Sequence, residues 1–293
     1  MPAAALHHVE HGTGTPVLAL HGWTPDHRQM EACLEPVLAT RPGYRRLYPD
    51  LPGMGATPAA VVAGSDDVLA SVRRFVDEQL GDRPFLLVGQ SYGGYLARAL
   101  VGELGEQVVG LALICPVVVP ETEDRMLPEH RVLRAEPGVL DGVEPTLATE
   151  FAKMAVVQTA VTLRRYTEEI QPGLAVADEA ALARIRLDYR LTREPDGPDA
   201  RSFAGPTLVL TGRQDATVGY LDQLALLPCF PRATFVVLDV AGHNLQFEQP
   251  VLFEALLDEW LDRVAAGLDR VVARPARVAV GPAGLDPACA LDA

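Results

Sequence analysis

The chain has a single lysine, Lys153, among its 25 basic residues, and only four serines and four cysteines in 293 positions. Each scarcity narrows what the molecule can be. Cys33, Cys115, Cys229 and Cys289 are far apart, with no CxxC pair and no Cys/His spacing suited to zinc. Free thiols are therefore expected, with neither a disulfide nor a structural metal. No apolar run reaches the ~18 residues that a spanning helix needs, since LALICPVVVP is cut by Pro116 and Pro120. The opening MPAAALHHVEHGTG lacks a basic region followed by an apolar one, so it does not read as a signal peptide and a cytoplasmic location is expected. Positive charge is short as well: 39 acidic residues face 25 basic ones, a net charge of −14. Such a surface repels phosphate backbones and anionic lipid, so neither nucleic acid nor a membrane is expected as a partner. Arginine in place of lysine, beside abundant Ala, Gly and Pro, suggests a GC-rich bacterial genome.

What is present describes a folded globular chain. A 48% hydrophobic and 22% charged composition excludes disorder and fibres, and the length fits two small domains or one large α/β unit with an insertion. Short leucine- and valine-rich runs alternate with longer amphipathic stretches between Gly and Pro turns, the pattern of βα units on a parallel sheet. Leu6–Val9 and Pro16–Leu20 read as strands joined through His11-Gly12-Thr13-Gly14, a hairpin that opens the sheet. A helix is expected from about Asp26 to Ala39, a strand at Arg46–Tyr48, and a helix over Ser65–Leu80 behind a Ser N-cap. Strand Phe85–Val88, helix Tyr92–Leu104 and strand Val108–Ile114 follow. From Pro116 to about Phe203 the pattern turns helical, with Glu150–Ile170 and Asp178–Leu191 the clearest segments. Strands resume at Thr207–Thr211 and Thr234–Leu238, and Pro250–Ala266 closes the core as a helix. The expected division is therefore a core over 1–115 and 206–266, a helical cap over 116–205 and a C-terminal extension over 267–293 without helical period.

Gly89-Gln90-Ser91-Tyr92-Gly93 fits G-x-S-x-G and falls between an expected strand and an expected helix, the context in which the motif sets a nucleophile on a sharp turn. Serine occurs otherwise only at 65, 71 and 202, and none of those stands in such a frame. A serine hydroxyl needs a base, and the base needs a carboxylate that holds its tautomer. His243, in Ala-Gly-His-Asn after the last expected strand, has the position of the base in the chain order Ser, Asp, His. Asp215, just past Thr207–Leu210, is the carboxylate, with Glu121 and Asp239 as competing orienters. The N–H of Tyr92, immediately after the nucleophile, and that of Trp23, by analogy with lipase-type motifs, are the expected oxyanion donors. His21 reads as a structural loop residue. Trp23, Tyr92, Phe151, Met154, Val157 and Leu245 are candidates for an apolar pocket wall, although helix packing is the more usual role for any single cap residue. No arginine stands out in the sequence as a carboxylate clamp, with Arg28, Arg125 and Arg164 as candidates.

HGW at 21–23, DLPGMG at 50–55, GQSYGG at 89–94, GRQD at 212–215 and AGHN at 241–244 together resemble the α/β-hydrolase family, in order and spacing, from about residue 6 to 266. HGWTPDHRQM, with GRQDATVGY and AGHNLQFEQP, is similar to its bacterial esterase, enol-lactonase and C–C-bond hydrolase branch. The resemblance implies an α/β-hydrolase fold, a Ser91–Asp215–His243 triad, a cofactor-free acyl-enzyme mechanism on a small-molecule ester or lactone, and a cap over the pocket. Serine at the elbow, where dehalogenases and epoxide hydrolases of this fold carry aspartate, speaks against those activities. The same triad can serve a C–C hydrolase, a lyase or a cofactor-free dioxygenase, and a hydrolase pocket can be kept by a non-catalytic receptor. Two departures stand out: only one strand fits before Val17, and the tail after Gly267 is additional.

Overall fold

The computed structural model describes residues 5–195 and 202–272. Its elements, in chain order, are β1 (His8–His11), β2 (Thr15–Leu20), α1 (His27–Leu38), β3 (Tyr44–Pro49), α2 (Ser65–Gln79), β4 (Phe85–Gln90), α3 (Tyr92–Leu104) and β5 (Val108–Ile114). Then come β6 (Arg134–Ala135), α4 (Pro145–Met154), β7 (Val157–Gln158), α5 (Ala160–Glu169), α6 (Gln171–Val176) and α7 (Glu179–Arg186). The chain returns with β8 (Thr207–Gly212), α8 (Leu221–Leu224), β9 (Ala233–Leu238), α9 (Leu245–Glu248) and α10 (Pro250–Val272). Seven strands form one sheet in the order β1-β3-β2-β4-β5-β8-β9. All its pairs are parallel except β1 with β3.

That order locates the site. From β2 the chain steps to β3 on one side, then returns through α2 to β4 on the other and continues outward to β9. Right-handed crossovers in opposite directions put α1 and α3 on opposite faces of the sheet. The loops leaving β2 and β4 therefore diverge, and the crevice at such a reversal is where open α/β sheets bind ligands. The strands flanking it, β2 and β4, are buried almost throughout, as apolar runs covered by helices on both faces should be. Trp260 of α10 is fully buried, and its indole N–H donates to Pro206 O at 3.1 Å. No helix among the described residues is long and apolar enough to cross a membrane.

Several expected elements are corrected. The opening strands are no hairpin: β1 pairs antiparallel with β3, His8 opposite Pro49, and β3 lies between β1 and β2. The Gly12–Gly14 turn passes over the end of β3, where a Cβ at Gly14 would lie 2.1 Å from Gly43 O. Ser65 is not the cap of α2 but its first residue, behind Gly64, and its hydroxyl accepts from Tyr92 OH at 2.8 Å. The expected helix over Glu150–Ile170 is broken at Ala155–Thr159, where the backbone turns extended and β7 pairs with β6. The segment Asp178–Leu191 is helical only over Glu179–Arg186. In the opposite direction, α10 runs past Ala266 to Val272, so the extension begins as helix, and 273–293 lie outside the described residues. Among the described residues β1 alone precedes β2, as expected.

Candidate active site

Ser91 sits between β4 and α3 with φ 51°, a left-handed conformation that only a sharp turn imposes on a side-chain-bearing residue. Two glycines make the turn possible. A Cβ at Gly89 would lie 2.4 Å from Gly93 O, and one at Gly93 would lie 2.2 Å from Leu20 O, so strand, turn and the neighbouring strand end approach to contact distance. The turn is pinned by Ser91 N donating to Ile114 O at 3.0 Å, and by Val117 N donating to Ser91 O at 3.0 Å. Among the described residues the other non-glycine residues of positive φ are Thr24, Cys115 and Val240. They lie next to Trp23, at the end of β5 and three residues before His243, so every such residue is in a loop at this one end of the sheet. Each costs on the order of 1–3 kcal/mol, a cost that a packed fold tolerates where geometry is needed.

The structure brings Asp215 and His243 together. Asp215 is fully buried at the end of β8; its Oδ1 accepts from Thr217 N at 2.8 Å and Val218 N at 3.1 Å. Its Oδ2 lies 2.9 Å from His243 Nδ1. A carboxylate can only accept, so Nδ1 carries the hydrogen and Nε2 presents its lone pair. The competing carboxylates are elsewhere: Glu121 pairs with Arg190, and Asp239 accepts from the Gln214 amide at 2.7 Å.

Three further residues meet at this site to which the sequence assigned no role there. Gln90, the first variable residue of the elbow motif, is 1% exposed; its Nε2 lies 3.4 Å from His243 Nε2 and donates to His243 O at 3.3 Å. Among the described residues its buried Oε1 has no hydrogen-bond partner. A Cβ at Gly22 would lie 2.2 Å from that oxygen, which is why the β2 loop needs glycine there. Cys115 lies against Asp215 and His243, and burial, reinforced by the negative charge of Asp215, pushes its thiol far above the usual range. It is therefore a neutral filler. Glu248, 7% exposed, accepts from Gly242 N at 2.5 Å, Val156 N at 2.7 Å and Val157 N at 3.2 Å. Only the position of Gln90 inside the motif was a signal; the contacts of Cys115 with Asp215 and His243, and of Glu248 with Val156 and Val157, join residues distant in sequence.

The remaining expected residues divide. Trp23 is half-buried after the end of β2, edge-on to Tyr92 and Tyr189, with the Arg186 guanidinium 5.5 Å from its ring centre. The Tyr92 side chain points into the core toward Ser65, while its N–H opens α3 and has no acceptor one turn back in the helix. Met154 lies over the Asp215 loop, its Sδ 3.8 Å from Thr217 Oγ1. Val157 is buried beside Glu248, Leu245 is part of the main core, and Phe151 packs with Ala155, Tyr166, Ile170 and Phe247 in a second cluster. His21 is structural: its Nδ1 donates to Gly22 O at 2.8 Å, its Nε2 accepts from Leu51 N at 2.9 Å, and burial lowers its pKa. Arg28 pairs with Asp26, and Arg125 donates to the carbonyls of Val119, Pro120 and Thr217. Arg164 lines a separate surface cavity of about 570 Å³ with Glu136, Leu163 and Thr167.

Among the described residues two groups place three metal-type donors within 4.8 Å, Cys115-Asp215-His243 and His7-His27-Asp50. In the second, Asp50 is fully buried; its Oδ1 takes His27 N at 2.9 Å and His27 Nδ1 at 2.8 Å, and its Oδ2 takes His7 Nδ1 at 2.7 Å and Ala56 N at 2.9 Å. All four contacts make this a hydrogen-bonded hub that holds the DLPGMG loop.

Residues 15–250 match the family model described as the alpha/beta hydrolase fold. The chain is 26% identical over 278 residues to haloalkane dehalogenase 2 of Mycobacterium tuberculosis, covering 90% of both chains. It is 28% identical over 274 residues to a 2-hydroxy-6-oxononadienedioate/2-hydroxy-6-oxononatrienedioate hydrolase of Paraburkholderia phymatum, covering 87% of this chain and 90% of that one. Among solved structures, an alpha/beta superfamily hydrolase from Oenococcus oeni superposes with a TM-score of 0.83 at 31% identity, over 89% of this chain and 97% of that one. A family-model match across most of the chain, on a mostly parallel seven-stranded sheet, makes this protein a member of the alpha/beta-hydrolase-fold family.

Proposed function

We propose that the protein is a serine hydrolase that cleaves a small or medium carboxylic ester, or a related acyl bond such as a lactone, through an acyl-enzyme. The observation that carries this is the 2.9 Å contact between Asp215 and His243 at the same end of the sheet as a strained, positive-φ Ser91. In this mechanism Ser91 Oγ attacks the carbonyl carbon while His243 Nε2 takes its proton, and Asp215 stabilises the imidazolium that results. The oxyanion is held by the N–H groups of Trp23 and Tyr92; the latter stands at the positive end of the α3 dipole. His243 then protonates the leaving alcohol, and water repeats the sequence on the acyl-enzyme. The segment 116–205 serves as the cap, and Trp23 and Met154 contribute to the wall.

Dehalogenation fits poorly despite the mycobacterial relative. A carboxylate that displaces halide leaves an ester that water can hydrolyse, whereas a serine would leave an ether with no carbonyl to attack. A pure receptor has no use for a strained nucleophile turn. The Paraburkholderia relative supports a second reading, attack by the same triad on a ketone with a carbanion as leaving group. Steady-state hydrolysis of p-nitrophenyl esters from acetate to octanoate separates the two. Turnover that falls about 10³-fold or more in both Ser91→Ala and His243→Ala supports the ester reading. Activity surviving Ser91→Ala overturns the nucleophile, and a folded wild type inert on every ester but active on a vinylogous diketone favours the carbon–carbon reading.

A further inference from the structure

The segment that follows His243 is built as a dock for the helical insertion. Phe247 leaves the main core and packs with Phe151, Ala155, Tyr166 and Ile170, all from the insertion. Arg165 of α5 donates to Gln246 O at 3.3 Å, and its guanidinium lies 5.7 Å from the Phe247 ring centre. Between them Glu248 divides its carboxylate. Oε2 takes the N–H of Gly242, the residue immediately before His243, and Oε1 takes the N–H groups of Val156 and Val157, where the expected long helix is broken. The two backbones are in contact at this point: a Cβ at Gly242 would lie 2.8 Å from Val156 Cγ2 and 3.4 Å from Met154 O.

We propose that Glu248 is a positioning residue that makes the placement of His243 and the seating of the insertion a single event, because one carboxylate holds the backbone of both. The proposal rests on reading His243 as the catalytic base. Opening of the insertion at Val156 and Val157 releases one oxygen and loosens the other, so that the base is correctly placed only when the insertion is closed over the site. A buried acceptor shared by three donors is costly to leave half-filled, so the three bonds form and break together.

The test is amide hydrogen exchange on the full chain, combined with steady-state kinetics on p-nitrophenyl acetate, for wild type and Glu248→Gln. The amide variant keeps the shape but turns one acceptor into a donor that faces an N–H group. Exchange at Gly242, Val156 and Val157 is expected to accelerate together by about tenfold or more, with β4 as protected as in the wild type. The value of kcat is expected to fall about tenfold or more with KM within about threefold, since a displaced base lowers the rate of the chemical step rather than the binding of a small ester. Acceleration on one side alone, or unchanged kcat, overturns the coupling. If Glu248→Gln does not fold, the wild type decides: corrected for intrinsic rates, the three amides must open within a few-fold of one another, and a spread above about 100-fold overturns the proposal. A wild type without esterase activity whose three amides open together refutes the ester reading and upholds the tether. An active wild type whose amides open independently does the reverse.

Discussion

Asp215→Asn isolates a single hydrogen bond of the site. Oδ1 accepts from two backbone N–H groups, those of Thr217 and Val218, so an NH2 group in that place would face two donors. The carboxamide oxygen must therefore take the Oδ1 position, and the NH2 is delivered to the Oδ2 position, 2.9 Å from His243 Nδ1. Nδ1 then has to accept, the ring hydrogen moves to Nε2, and the base has no lone pair for the Ser91 proton. The expected loss is about 10⁴-fold in kcat, roughly 5 kcal/mol of transition-state stabilisation. Folding should barely change, within about 1 kcal/mol, because both backbone bonds survive and only one net hydrogen bond is altered. The assay is p-nitrophenyl acetate hydrolysis beside urea unfolding of the same preparation. A variant within tenfold of wild-type kcat refutes the tautomer mechanism, and one that unfolds refutes the assignment of the backbone bonds.

Gly93→Ala places a Cβ 2.2 Å from Leu20 O and 2.5 Å from His21 O, both backbone atoms with little freedom to retreat, and should cost about 3 kcal/mol or more; a urea-derived loss below about 1 kcal/mol contradicts it. Asp50 holds His27 in its charged form, raising its pKa above the ordinary 6.5, so the stability this provides is complete below about pH 6.5 and is lost as pH rises through the folded-state value. The urea midpoint difference between wild type and His27→Gln should therefore be larger at pH 6 than at pH 8, and a difference independent of pH counts against the hub. For Asp50 itself, burial alone would raise the pKa, but the hydrogen bonds from His27 and Ala56 bring it well below 3.8, so its share persists from neutral pH down into the acid range. Cys33 and Cys115 are buried, with thiol pKa values pushed up by desolvation, and should resist alkylation at pH 8 until urea unfolds the chain; mass-detected labelling of native Cys115 within minutes contradicts its placement.

The elements legible in the sequence are those whose cause is local. Helix Tyr92–Leu104 and strand Val108–Ile114 have the boundaries their patterns indicate, and the elbow is found from its two glycines because a Cβ there meets backbone a few residues away or on the adjacent strand. The turn at Ser91 was readable from its motif, and the contact between Asp215 and His243 from their places after successive strands. What was misread depends on partners distant in sequence. Two apolar runs around a Gly-rich turn look like a hairpin, and nothing local says that β3 will insert between them. Glu150–Ile170 has helical character throughout, yet the amides of Val156 and Val157 are taken by a carboxylate more than 90 residues away, and the helix breaks there. Phe151 follows the same logic: its apolar character fits a pocket or a core, and only the arrival of Phe247 from the other half of the chain decides for the core.

The two tryptophans occupy opposite extremes of environment. Trp260, on α10, is sealed against the sheet, while Trp23 stands half-buried among Tyr92, Tyr189 and the Arg186 guanidinium. The molecule thus carries a reference fluorophore and a reporter fluorophore without labelling. Emission from the first should stay short-wavelength and insensitive to collisional quenchers, while emission from the second should follow any occupant of the crevice or any shift of α7. A Trp260→Phe variant would leave the reporter alone, and ligand screening could then proceed by colour rather than by turnover.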